Sequence, residues 1–163
     1  MKLIFETIQW DTLESHQRFI DSATYGSFYK RLTSITDGPI ILYHASFNPQ
    51  PLSLAVGNTA APVTEMLTAY LDSKDEAYAE RSAKFATIIE SNAEACKGAM
   101  TGWMIEEMEH EGKQGHAYVS LISWKSKEKH AEFRETSAFK DNIQMCREGA
   151  RGTSVNHTIF QRG

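Results

Sequence analysis

The stretch that decides the fold is Ile122–Phe160, ISWKSKEKHAEFRETSAFKDNIQMCREGARGTSVNHTIF. It opens on strand-like residues ending at Trp124, continues through a helical segment carrying His130 and Phe133, and closes on a strand that holds His157. Working outward, the same order occurs at the front of the chain, in Ile8–Phe47, IQWDTLESHQRFIDSATYGSFYKRLTSITDGPIILYHASF. At an offset of 114 residues Ile8 meets Ile122, Trp10 meets Trp124, Glu14 meets Glu128, His16 meets His130 and Phe19 meets Phe133. With one loop residue gapped, His44 meets His157 and Phe47 meets Phe160. The repeated unit is strand–helix–strand.

Between the two copies, Asn48–Pro62 carries no charge and three prolines, Pro49, Pro51 and Pro62, which suit neither a helix interior nor a central strand. It reads as a linker. Residues 1–47 are then a partial repeat unit, 48–62 the linker and 63–163 a complete unit. In the front copy, Lys2–Trp10 is strand-like, Thr12 is a helix N-cap with Glu14 in the first turn, apolar residues from Phe19 to Leu32 have helical spacing, and Ile40–Phe47 is a second strand. Val63–Leu71 reads as a strand. Ser73-Lys-Asp-Glu76 is a capping box opening a helix over Asp75–Cys96, with Gly98 as its stop. Met100–Glu109 and Gly115–Trp124 are strands joined by a hairpin turn that holds Gly112 and Gly115. Ser126 caps the next helix, Gly149 or Gly152 releases it, and Thr153–Gln161 is the last strand. From residue 63 the order is β-α-β-β-α-β, which predicts an α+β, ferredoxin-like split βαβ fold with an antiparallel sheet and helices on one face. The other face then needs a cover, and a partner chain or the internal repeat would supply it.

Composition excludes several functions. The net charge is −4 with both signs interspersed, so no basic footprint for nucleic acid or an anionic membrane is present. No apolar run reaches the length of a membrane span, and MKLIFETIQW is interrupted too early by Glu6 for a signal peptide. Cys96 and Cys146 read as reduced, buried thiols of a cytoplasmic protein, each on its own helix.

The pattern Trp-x-Ser/Thr-x-Glu-x-His-x-x-Phe, then Ser-x-Phe, then a closing strand with His, resembles the dimeric α/β-barrel superfamily. It is similar in particular to the antibiotic-biosynthesis-monooxygenase (ABM) domains, including the fungal proteins with two such units. The likeness runs over about 63–161 and is best over 116–161. It implies a homodimer, a pocket between sheet and helices, a hydrophobic small-molecule ligand, and no cofactor. Members include cofactor-free oxygenases of aromatic polyketides, polyketide cyclases, haem-degrading oxygenases and proteins without activity. The haem-degrading members use an Asn on the first strand, a Trp and a His. Here those helix positions hold Phe133 and Ile143, and Val63–Leu71 has no Asn.

His157 and His44 are the first catalytic candidates. An imidazole in an apolar strand needs a partner and is also the usual general base near neutral pH. A structural, hydrogen-bonded histidine explains the same placement. His16 and His130, in a first helical turn, suit packing or capping. Tyr118 joins the catalytic set as a phenol donor, and Trp103, Trp124, His130, Phe133 and Tyr70 are candidate substrate contacts. Alternation puts His116, Tyr118, Ser120, Ile122 and Trp124 on one face of their strand, read as the pocket wall. It puts Ala117, Val119, Leu121 and Ser123 on the other, read as the face under the helices. The acidic hairpin Glu106–His116 matches no metal motif, and no phosphate-binding or dinucleotide fingerprint is present. The functions expected are cofactor-independent oxygenation of an aromatic or polyketide-like substrate, cyclisation of a polyketide, or ligand binding without catalysis.

Overall fold

The structure is a computed structural model describing residues 7–36, 38, 40–47 and 52–160. Its contacts divide the chain into two units, Met1–Leu42 and Tyr43–Gly163.

The first unit holds helices α1 (Leu13–Ile20) and α2 (Tyr25–Thr33). Thr12 caps α1 as expected, its side chain accepting from the Ser15 N–H at 3.1 Å. The single helix suggested by the spacing of Phe19 to Leu32 is instead two. Ser22 donates to the Phe19 carbonyl at 2.7 Å and bonds the Thr24 hydroxyl at 2.8 Å, and such local bonds compete with the helical ladder. The strand expected over Lys2–Trp10 is not formed at residues 7–10, and residues 2–6 lie outside the described residues.

The second unit contains strands β1 (Ala45–Phe47), β2 (Val63–Leu71), β3 (Cys96–Met104), β4 (Met108–His110), β5 (Lys113–Trp124) and β6 (Gly152–Ile159). Its helices are α3 (Glu76–Asn92), α4 (Lys127–Arg134), α5 (Ser137–Lys140) and α6 (Gln144–Arg147). The sheet order is β1-β3-β5-β2-β6, with β4 paired to β5, and every pairing is antiparallel. This is the expected ferredoxin-like α+β arrangement, with β2 and β5 at its centre. No helix among the described residues is long and apolar enough to cross a membrane.

Several boundaries differ from the sequence reading. Asp75, not Ser73, caps α3, and the helix ends at Asn92. Cys96 and Gly98 therefore belong to β3, so Gly98 is not a helix stop. A Cβ there would sit 2.7 Å from the Leu54 carbonyl oxygen, and glycine allows that close approach. Cys96 and Cys146 are free and buried, on β3 and α6. Met100–Glu109 is not one strand, because the chain leaves β3 after Met104 and rejoins as β4 at Met108. Ile40–Phe47 yields only Ala45–Phe47. The helix of the second copy is broken into α4, α5 and α6. Thr136 caps α5, its hydroxyl also donating to the Phe133 carbonyl at 2.7 Å.

The two faces of β5 alternate as expected, but the helices cover the bulky face and not the small apolar one. Ile122 and Trp124 pack under the helices with Phe85, Ile89, Phe133 and Cys146, and Tyr118 packs there with Tyr78. Val119 and Leu121 point to the opposite face. With Met100 they meet Leu52, Ala55 and Val56 of the segment before β2, and Thr64 donates to the Ala55 carbonyl at 2.8 Å. The linker region thus covers part of the face that seemed to need a partner. The bulky aromatic set goes to the helix side because its side chains fill the space between two layers about 10 Å apart.

Candidate active site

β2 lies between β5 and β6 over nearly its whole length, so residues on its helix side are shielded from three directions. Alternation places Val63, Glu65, Leu67, Ala69 and Leu71 there. Glu65 is thus a carboxyl group in the middle of a central strand, only 5% exposed. The register sets it opposite Ile122 on β5 and His157 on β6. Two residues along β5, the fully buried Trp124 donates its indole N–H to Glu65 Oε2 at 2.8 Å.

Ser126 caps α4, accepting from the Lys129 N–H at 3.2 Å, and this fixes the first turn so that His130 faces the sheet. The His130 ring stacks on Trp124 with centroids 4.9 Å apart and planes at 20°. Its Nε2 lies 3.5 Å from Glu65 Oε2, and its Nδ1 lies 2.8 Å from Nε2 of the half-buried His157. One imidazole must donate and the other accept. The front unit repeats the stacking: Trp10 and His16 have centroids 4.7 Å apart at 21°, and Trp10 and Phe19 lie 5.5 Å apart, against 5.6 Å for Trp124 and Phe133.

Burial pushes the Glu65 carboxyl up from 4.5 to about 7, with the Trp124 N–H opposing part of that rise. Burial lowers His130 from 6.5 to about 4, helped by His157 and Arg134. His157 is also lowered, first by burial and then by Lys127 and Arg134. Near neutral pH the result is a carboxyl group whose ionisation is held back by burial, beside a neutral imidazole pair. The 3.5 Å gap between Glu65 and His130 exceeds a good hydrogen bond.

Beside this cluster is a cavity of about 110 Å³. Phe85, Ile89, Ile122, Phe133, Phe139 and Ile143 supply its apolar wall, and Glu65, Trp124, His130, Arg134, Arg147 and Thr153 its polar groups. It lies on the helix side of the sheet. Of the residues singled out in the sequence, Trp124, His130 and Phe133 line it, and His157 stands behind His130. The others are elsewhere. Tyr118 donates to the Thr101 hydroxyl at 2.9 Å and packs against Trp103 at 5.0 Å, farther along the sheet. Tyr70 is on the opposite face, stacked on His110 at 4.0 Å and bonded to Ser154 at 3.3 Å. His44 precedes β1 instead of sitting within a strand, and both its backbone N–H and its ring bond Glu106. Glu65 was missed. Its signal is the one charge within VTEMLTAYL, a strand otherwise without ionised groups.

Among the described residues, Glu65, His130 and His157 are the group whose ligand atoms converge, all within 4.8 Å. One carboxylate and two imidazoles can hold a divalent cation. Here Trp124 donates to the carboxylate and one imidazole donates to the other, so each of the three side chains already has a hydrogen-bond partner.

No protein-family model matches the sequence, and no curated protein matches it either. Solved structures do. A Lactobacillus acidophilus protein, named as an inferred monooxygenase, superposes with a TM-score of 0.54 at 13% identity, over 90% of this chain and 64% of its own. The chain shares the fold of that protein. It spans slightly under two thirds of that protein's length, 64%. A Bordetella bronchiseptica protein, named as an inferred antibiotic-biosynthesis monooxygenase, aligns over 61% of this chain and 97% of its own, with a TM-score of 0.48 and 16% identity. A variant of SnoaB, a cofactor-independent oxygenase from Streptomyces nogalater, aligns over 62% and 94%, with a TM-score of 0.46 and 10% identity.

Proposed function

We propose that this protein is a cofactor-independent oxygenase of hydrophobic aromatic small molecules. The observation that carries the reading is a buried carboxyl group, raised to about 7, at the edge of an aromatic-walled cavity and backed by two histidines. A phenolic substrate in that cavity loses its proton to the Glu65 carboxylate, which is matched to this task because its pKa lies near the working pH. The electron-rich phenolate then reacts with O2. Both electron pairs come from the substrate: one oxygen atom enters the ring, the other leaves as water, and a phenol becomes a quinone. The proton held on Glu65 goes to the departing oxygen to complete that water, and His130 and His157 back the carboxyl group.

The cavity sets the scale of the substrate. About 110 Å³ is somewhat less than the ~150 Å³ of an apolar cavity that accepts benzene, so at most one ring enters. In a polyketide-like substrate one ring enters and the rest stays outside. A homodimer belongs to the same reading, because β6 is an edge strand whose Val155 and Ile159 remain 47% and 61% exposed. Two free, buried cysteines suit the reducing cytoplasm.

The test is oxygen uptake with a panel of monocyclic phenols and quinols. Glu65→Gln should lower turnover by ~10²–10⁴-fold, the usual contribution of a general base. Undiminished uptake in that variant, or no uptake by the native protein across the panel, refutes the proposal.

A further inference from the structure

Two charged residues of the cavity, Arg134 and Arg147, take no part in the proposed chemistry. Arg134 ends α4, Arg147 ends α6, and both line the cavity. Among the described residues neither guanidinium has a carboxylate within 4.0 Å. Arg134 lies over the Phe139 ring at 5.8 Å, and Phe139 is itself part of the wall, so this cation is held at the cavity rim. Burial dominates the shifts of Glu65, His130 and His157, and in each the charge of Arg134 adds a smaller downward pull. A cation felt by all three groups sits close to the reacting end of the cavity. Arginine at a helix C-terminus also complements the helix dipole, but that role does not require it to face an apolar hollow.

The cavity therefore pairs an apolar interior for one ring with two guanidinium groups at its exposed rim that make no ion pair within 4.0 Å among the described residues. We propose that its ligand is a monocyclic aromatic carboxylic acid, with the ring among Phe85, Phe133 and Phe139 and the carboxylate on Arg134 and Arg147. Guanidinium is the side chain suited to this, because its planar fork matches a carboxylate bidentately. A phenolic hydroxyl on the far side of the ring would then point to Glu65. This substrate class rests on the reading of the cavity as the ligand site and deepens it.

Titration calorimetry on the full chain with 4-hydroxybenzoate and its methyl ester tests the proposal. The acid should bind at least ~10-fold more tightly than the ester, and the preference should shrink as salt is raised. Arg134→Gln with Arg147→Gln should abolish the preference while leaving ester affinity within about twofold. The paired Lys variants should retain part of it, since charge survives without the fork. Equal affinity for acid and ester, no binding of either, or a preference that persists in the double Gln variant overturns the proposal. Oxygen uptake is read separately. Selective acid binding without uptake would refute the oxygenase and leave the carboxylate site standing, whereas uptake with no acid preference would do the reverse.

Discussion

Glu65 and His130 should make opposite contributions to the pH dependence of stability, and each is exposed by removing the other. The Glu65 carboxyl is raised from 4.5 to about 7 by burial, so between those values the folded chain holds a proton that the unfolded chain has released. Stability from this group is present at low pH and is lost as pH rises through that window. His130 is lowered from 6.5 to about 4, so between those values the unfolded chain holds the extra proton. Its contribution is present above 6.5 and is lost as pH falls toward 4. One proton corresponds to about 1.4 kcal/mol per pH unit, so each group alone would change stability by about 3 kcal/mol across its window. Where the windows overlap, from pH 4.5 to 6.5, the two slopes cancel. Glu65→Gln leaves the His130 slope, so relative to the native protein its stability should rise by about 1.4 kcal/mol per pH unit there. His130→Asn should show a fall of the same size. Urea midpoints taken every half unit from pH 4.5 to 6.5 measure both. A Glu65→Gln difference that stays constant across the range would mean that Glu65 is ionised in the fold throughout, and would refute the assignment.

Trp124→Phe removes the indole N–H that opposes the rise of Glu65. The carboxyl midpoint, followed by carbon NMR, should move further up, and stability should drop by roughly 1–3 kcal/mol for the lost buried bond. An unmoved midpoint would show that the bond is not made. Gly102 faces β1, and a Cβ there would run into the Ser46 carbonyl oxygen. Gly102→Ala should therefore speed amide exchange in Ala45–Phe47 while leaving β2 and β5 protected, and unchanged exchange in β1 would contradict the pairing. Ser126→Ala should cost about 1 kcal/mol through loss of the α4 cap, read as a lower urea midpoint. Light scattering at micromolar concentration should report about twice 18.4 kDa, and a clean monomer would remove the homodimer from the proposed function.

Much of the fold was legible because its signals are local. Thr12 and Ser126 are helix caps that need only the three residues after them, and both make the expected bonds. The spacing Trp-x5-His-x2-Phe sets a ring stack within one turn of chain, which explains why Trp10, His16 and Phe19 repeat the geometry of Trp124, His130 and Phe133. The β-α-β-β-α-β order and the alternation along Gly115–Trp124 likewise follow from hydrophobic period and turn residues.

The site is a different matter. A period of two says which residues of β5 share a face, but it leaves open which face the helices cover, because strand order and the paths of the connections decide that. His157 became a partner of His130 only through the register that sets β6 beside β2, and Glu65 entered the cluster from a strand 59 residues before Trp124. Glu65 is one glutamate among many in the sequence. Burial between two neighbouring strands makes it an acid with a pKa near 7, and burial is a property of the folded chain. So is the cavity, whose apolar wall comes from α3, α4, α5 and β5, with Ile143 just before α6, and whose rim carries Arg134 and Arg147. Caps, alternation and the order of strands and helices from residue 63 onward rest on contacts a few residues apart and could be read from the sequence; the breaks within helices and the chemistry of the site could not, since desolvation and proximity arise when distant segments meet.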